Sequence, residues 1–425
     1  LGSPASSLPS PTGLTFAAHP QVLARLVSVL SFSVRAIQGV VAVKRECRKL
    51  GRLSRNRNLL CSLANARLSV ENSRMLLVDS HLDLAYNALE WDRDLTQPIV
   101  QIREAEAGMS EKGRGLGVVS FEELRRGEIG LFFVTVCCRI SSRGKRFPGV
   151  RTQDIAYAKD RGQLAWYQLM ETKGYLRQIR SRAELEAHLK EWDDDPQHCP
   201  LGFVLSMEGA DGIVSEEQIS EWWSEGLRVV SLCHYGVSSY AHGTQAPGGL
   251  TPRGISMLAG MQTSGMILDV SHLAEAAFWE ALDIFGGAVL ATHNCCRALC
   301  DHDRQLNDRQ IQALVGRGGV IGTAFDDWML SELWNPVAQD NSGITLETVV
   351  DHMDHICHLA GNAEHVAIGS DLEGGYGKEQ SPADMETIAD MQRLPEILSR
   401  RGYGDADIAN VMHRNWIHLL RNSLP

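Results

Sequence analysis

Eight short apolar runs punctuate the chain from residue 76 onward. They are LLVDSHLDL (76–84), IGLFFVTVC (129–137), GFVLSMEG (202–209), LRVVSLCH (227–234), GMILDVSH (265–272), AVLATH (288–293), GGVIGTAF (318–325) and HVAIGSDL (365–372). Each is about one strand long and rich in Val, Leu and Ile. Their apolar positions are continuous rather than alternating, the pattern of parallel strands covered on both faces. Helix-like stretches lie between them, for example 152–179, 216–225, 274–285, 308–316 and 346–360. Strand and helix alternating eight times predicts a (β/α)8 TIM-like barrel. Such a barrel needs roughly 250 residues, and 75–425 supply it as a single catalytic domain with long loops.

The polar endings of these runs point to chemistry. Six runs close on His81 and Asp83, Glu208, His234, His272, His293 and Asp371. On this fold the C-terminal ends of the strands form the active-site face, so these seven side chains are predicted to meet there. Residues 81 and 83 alternate along a strand and point to one side. Imidazole and carboxylate together suit Zn²⁺. The count fits two ions: His81 and Asp83 on one, His272 and His293 on the other, and Glu208 between them. Two cations roughly 3.5–4 Å apart share a hydroxide and polarise a carbonyl. His234 is placed to hydrogen-bond the oxygen that turns negative in a tetrahedral intermediate. Asp371, across the mouth, is placed to take a proton. This is equipment for amide hydrolysis.

Charge and composition narrow the setting. Net charge is −11, but residues 1–74 carry eleven Lys and Arg against Glu46 and Glu71, a local +9, which leaves −20 for the remainder. An acidic body argues against a nucleic-acid surface and agrees with a cation site. The basic first 74 residues are read as a disordered or non-native extension, with a targeting segment and a small helical appendage as the other readings. The ten cysteines show no CxxC spacing, which favours reduced thiols and a cytoplasmic setting. No run is long and apolar enough to span a bilayer, so no membrane partner is expected.

The motifs HLDL (81–84), SMEGADG (206–212), LCHY (232–235), DVSH (269–272), THNCCRALCDHDRQLND (292–308) and IGSDLEGG (368–375) resemble those of the membrane (renal) dipeptidase family of binuclear zinc peptidases. The resemblance covers about residues 76–420. It implies two Zn²⁺ per chain, held by His81, Asp83, bridging Glu208, His272 and His293. It further implies that His234 contacts the substrate carbonyl, that Asp371 is the acid/base, and that Arg304 holds the terminal carboxylate of a small dipeptide, in some members with a D-residue at the C-terminal side. It also implies a homodimer. Tyr235 stands where Asn is common in the family.

Other motifs are given plainer readings. Asp351, His355 and His358 in DHMDHICH are read as a solvated helix face. The Gly-rich 113–117 segment is read as a flexible loop, and 236–253 as a lid or pocket wall. TAFDDW (323–328) has no assigned role. Two other functions stay open: another amidohydrolase-type barrel enzyme, such as an N-acyl-D-amino acid hydrolase or lactonase, and a catalytically inactive barrel used for binding. The first strand lacks the His-x-His of the wider amidohydrolases, and no lysine ends any run.

Overall fold

The structure is a computed structural model that describes residues 75–141 and 149–425; the readings made for 1–74 lie outside the described residues. From Met75 to Pro425 the chain forms one compact unit. Its strands are β1 (Leu77–Leu82), β2 (Ile129–Val136), β3 (Leu176–Gln178), β4 (Leu201–Glu208), β5 (Leu227–Ser231), β6 (Ile267–Asp269), β7 (Val289–Asn294), β8 (Ile321–Thr323) and β9 (Val366–Ile368). Eight of them close a ring in the order β1, β2, β4, β5, β6, β7, β8, β9, and all of their pairings are parallel. The predicted (β/α)8 barrel is therefore present, and its eight strands match the eight apolar runs to within one residue, β4 starting at Leu201 and β7 ending at Asn294.

The ninth strand is a difference from the sequence reading, which ran a helix through 152–179. The helix stops at Thr172, because Gly174 takes φ +79°, a conformation that ends helices. Leu176–Gln178 then pairs with Leu201–Phe203 at the start of β4. β5 takes that same side of β4 from Leu205 onward, while β2 holds the other side throughout. A further helix, Arg182–Asp194, follows with Ser181 as its N-cap. Helix ends elsewhere carry the expected chemistry. In Pro252–Ser264, Thr251 accepts from Gly254 N, Pro252 opens the first turn and Gly265 closes the last at φ +77°, which is the usual order of cap, Pro and Gly.

Alternate residues of the strands divide between two cores. One face packs against the surrounding helices and contributes Leu77, Phe132, Val134, Phe203, Leu205 and Leu268. The other face fills the barrel with Val78, Leu131, Phe133, Val204, Val229, Ile267, Leu290 and Ala367, closed from below by Trp416 and Leu420 of the helix Asn415–Ser423. Above this apolar layer the same faces turn to small polar residues. Ser80 donates to Thr292 O and Ile368 O, Ser206 to Val134 O and Ser231 to Ser271 O. Two glycines make this layer possible. A Cβ on Gly369 would sit 1.7 Å from Thr292 O, and one on Gly322 would sit 2.0 Å from the same atom.

Candidate active site

The strand ends bring all seven predicted polar residues together above that layer. His81 lies in β1 and Asp83 one residue beyond it; Glu208 closes β4, and His293 is the penultimate residue of β7. His234, His272 and Asp371 each stand three residues past the end of their strand. His272 and Asp371 hold φ +65° and +58°, sparsely populated for non-glycine residues and a recurrent feature of functional sites.

Glu208 is the hub. Its Oε1 lies 3.1 Å from His272 Nε2, 3.2 Å from His293 Nε2, 3.7 Å from His81 Nε2 and 3.8 Å from His234 Nε2. Three donor groups compact enough to hold an ion share it: His81, Asp83 and Glu208; Glu208, His272 and His293; and Cys137, Glu208 and His234. Asp371 Oδ1 is also 3.7 Å from His81 Nε2, so geometry admits it beside that ligand set as well as to proton transfer.

Tautomers can be read from the partners. Thr292 Oγ1 donates to Asp269 Oδ2 at 2.6 Å, so at 2.8 Å it accepts from His293 Nδ1. Thr244 Oγ1 faces the carbonyl of residue 272 and lies 2.9 Å from His272 Nδ1. Each ring then keeps its proton on Nδ1 and leaves Nε2 bare. The two bare nitrogens stand 3.2 Å apart, both against Glu208. Acceptors converging with no proton between them are what a cation neutralises. Both nitrogens of His81 are likewise buried without a hydrogen-bond partner. Burial drives the imidazoles toward neutrality, His81 and His234 to about 3 and His293 to about 4. It drives carboxyls upward: Asp83 to about 7, through burial and then the charge of Glu208, and Asp371 well above its usual range, through burial and then Asp83 and Glu208. The donor set fits a divalent metal of the zinc type.

Over the ligands opens a cavity of about 510 Å³, lined by Asp83, Glu208, His234, His272 and Asp371 and walled by Tyr86, Lys112, Arg139, Tyr235, Arg304, Asp326, Trp328 and Tyr376. This volume suits a small ligand. Arg304 is 3% exposed. Its Nη2 donates to His293 O at 2.7 Å, while Nε and Nη1 are buried without partners. Buried donors left unmet are costly, and a planar fork of this kind matches a carboxylate.

Sequence reasoning missed the groups that brace the candidate ligands. Asp79 accepts from His81 N at 3.1 Å and from Ser370 N at 2.8 Å. Asp269 accepts from Ser271 N at 2.9 Å and from Thr292 N at 3.0 Å. Thr135 donates to Asp83. The one signal for the two aspartates was an Asp shortly before the His in DSH and DVSH.

Of three plainer readings, two are corrected and one holds. Residues 236–253 fold back on themselves through Gly236 N to Thr244 O and His242 N to Gly249 O. They do not line the cavity; Thr244 braces His272 from behind. The helix Leu346–Ala360 keeps the predicted solvated face at its DHMDHICH segment, with Asp351 and His358 exposed and His355 partly exposed, while its opposite side is buried. His352 is buried between Cys296 N and Leu330 O, Asp351 and Asp354 pair with Arg401, and His355 pairs with Asp308. Residues 113–117 are tied down by Arg93, Arg103 and Glu106. In TAFDDW, Asp326 faces the cavity and accepts from Gln380 at 2.6 Å. Among the described residues the eight cysteines are free thiols, and no helix is long and apolar enough to cross a membrane.

Comparison with known proteins places this geometry. The model of the membrane dipeptidase family, peptidase family M19, matches residues 67–423. The dipeptidase aclJ of Aspergillus oryzae is 26% identical over 356 residues, 82% of this chain and 78% of its own length. An uncharacterised protein of the pqqA 5′ region of Klebsiella pneumoniae is 28% identical over 268 residues, 61% of this chain and 96% of its own length. Among solved structures, dipeptidase AC, a metallopeptidase of family M19, superposes with a TM-score of 0.69 at 22% identity, covering 83% of this chain and 99% of its own. A Rhodobacter sphaeroides metallopeptidase bound to a phosphinate mimic of L-Ala-D-Ala superposes at 0.66 with 20% identity, covering 83% and 100%. With the family match spanning nearly all of the described residues, the chain belongs to the membrane dipeptidase family, peptidase family M19, and is a metallo-dipeptidase.

Proposed function

We propose that the enzyme hydrolyses the amide bond of free dipeptides with two zinc ions, one held by His81 and Asp83, the other by His272 and His293, and both by Glu208. The observation that carries this reading is the convergence of the bare Nε2 atoms of His272 and His293 on Glu208, beneath the unmet N–H groups of Arg304. When bound, the metals supply an activated water and polarise the scissile carbonyl. The chain's own residues do the rest. Arg304 takes the terminal carboxylate on Nε and Nη1 and so fixes which end of the substrate lies deepest. His234 donates to the carbonyl oxygen as it becomes negative. Asp371 receives a proton and returns it to the leaving amine. The mimic held by the Rhodobacter sphaeroides relative favours L,D-dipeptides among the substrates to try first.

The catalytic unit in this proposal is 75–425, and the enzyme acts as a cytoplasmic homodimer without a membrane partner; gel filtration and cell fractionation test both points. The central experiment is metal content by elemental analysis, paired with hydrolysis of L-Xaa-D-Xaa and L-Xaa-L-Xaa dipeptides. About two zinc per chain with chelator-sensitive cleavage is expected. Two zinc without dipeptide turnover would move the search to N-acyl-D-amino acids and lactones. For Arg304→Ala, KM for free-carboxylate dipeptides rises with little change in kcat. Equal cleavage of C-terminally amidated dipeptides by the parent enzyme would remove the carboxylate role of Arg304.

A further inference from the structure

His234 is handled differently from the other two histidines whose tautomers can be read. Behind His272 and His293 stand threonine hydroxyls, each facing a second acceptor, so those rings keep a proton on Nδ1. Behind His234 stands a cation. Arg139, three residues past the end of β2, brings Nη1 to 2.5 Å from His234 Nδ1, and Cys137 Sγ lies 3.8 Å from the same atom. A guanidinium offers N–H donors and no acceptor. Nδ1 must therefore accept, and it carries no proton. An imidazole that accepts on Nδ1 cannot be the doubly protonated cation, so the ring is neutral. A neutral ring with a bare Nδ1 has its proton on Nε2. That is the nitrogen 3.8 Å from Glu208 Oε1, on the side of the ligand cluster.

We propose that Arg139 is a positioning residue that fixes His234 as the Nε2–H tautomer, so that this ring presents a hydrogen, rather than a lone pair, to the substrate carbonyl. The site thereby sorts its imidazoles by what stands behind them. Threonines prepare His272 and His293 to hold metal, and an arginine prepares His234 to donate. The same contact keeps His234 out of the ligand set, since a guanidinium at 2.5 Å repels a second cation on that ring. The inference rests on the reading of His234 as the oxyanion donor, and the two fail differently.

The test uses the zinc-loaded full chain as parent, Arg139→Gln, His234→Gln and the double variant, with L-Ala-D-Ala and L-Ala-L-Ala as substrates. Metal content and the unfolding midpoint are checked alongside. R139Q is expected to lower kcat on the order of 10–100-fold, as when a partner orienting a histidine is removed, with KM unchanged. H234Q is expected to lose on the order of 10²–10³-fold. In the H234Q background the Arg139 change should then cost nothing further, because it acts through that ring. Losses that multiply in the double variant, or a rise in KM alone, overturn the proposal by showing direct contact with substrate. An H234Q enzyme with full kcat overturns the donor reading of His234 itself. A second measurement needs no Arg139 variant: in ¹⁵N-histidine spectra of the parent, the ring signals that vanish in H234Q must show the proton on Nε2. A proton on Nδ1 overturns the proposal outright.

Discussion

At the lower end of the barrel, Val78, Leu131, Phe133 and Val229 meet Trp416 in a dry apolar layer. At the upper end, continuations of the same strands deliver His81, Glu208 and His293 into a crowd of ionisable groups with buried, unpartnered nitrogens. The lower layer is stabilised by area removed from water. The upper layer gathers groups whose charged forms burial disfavours: it pushes the carboxyls up and the imidazoles down. The Ser, Thr and Gly layer separates the two. The difference teaches where stability and chemistry are stored: the lower half supplies the rigidity that lets the upper half hold an otherwise unfavourable arrangement.

Each end can be broken independently. The largest effect is expected from Glu208→Ala, which removes the acceptor shared by both ligand groups. Activity should fall to background and bound metal should drop by elemental analysis, and a variant that keeps two metals would sink the bridging role. Next comes Asp371→Asn, with kcat reduced on the order of 10²–10⁴-fold, the usual range for a general acid–base group, at unchanged metal content. Metal loss here would move Asp371 into the ligand set, which its 3.7 Å approach to His81 admits.

Trp416→Ala attacks the other end. Deleting this fully buried ring should cost about 3–5 kcal/mol in denaturant unfolding, while kcat of the folded fraction stays at the parental value. A folded variant with a lower kcat would show that the two ends are coupled. The smallest effect is expected from Thr292→Val, in the layer between them. It loses the hydroxyl that sets the His293 tautomer, so metal affinity should weaken on the order of 10–100-fold in a chelator competition. Unchanged affinity would show that His293 needs no such brace.

The contrast also explains what the sequence made legible. The eight strands were readable because both strand faces are buried, which writes continuous apolar runs. The candidate ligands stood out because each interrupts or follows such a run with His, Asp or Glu. β3 was not, since Leu-Arg-Gln is too short and too polar to register, and its place beside β4 depends on where β5 begins. Nor was the layer of braces. Thr135, Thr244 and Thr292 are ordinary residues until the fold places each of them against a candidate ligand, and Arg139 gains its meaning from a ring 95 positions away. His352 was not legible either: set among charged neighbours in sequence, it is buried and bonded to backbone at both nitrogens.

The left-handed backbone at His272 has a consequence for redesign. Exchanging a metal ligand is the direct way to retune such a centre, for instance toward softer ions with a thiolate. Residue 272, at φ +65°, restricts that choice before any metal is considered. Gly, Asn and Asp adopt this conformation readily, whereas branched residues are outliers there. His293 lies within a strand and imposes no such filter. A programme of ligand exchange therefore begins at residue 293 and leaves 272 for last, because at 272 a failed variant would report on the backbone as much as on the metal.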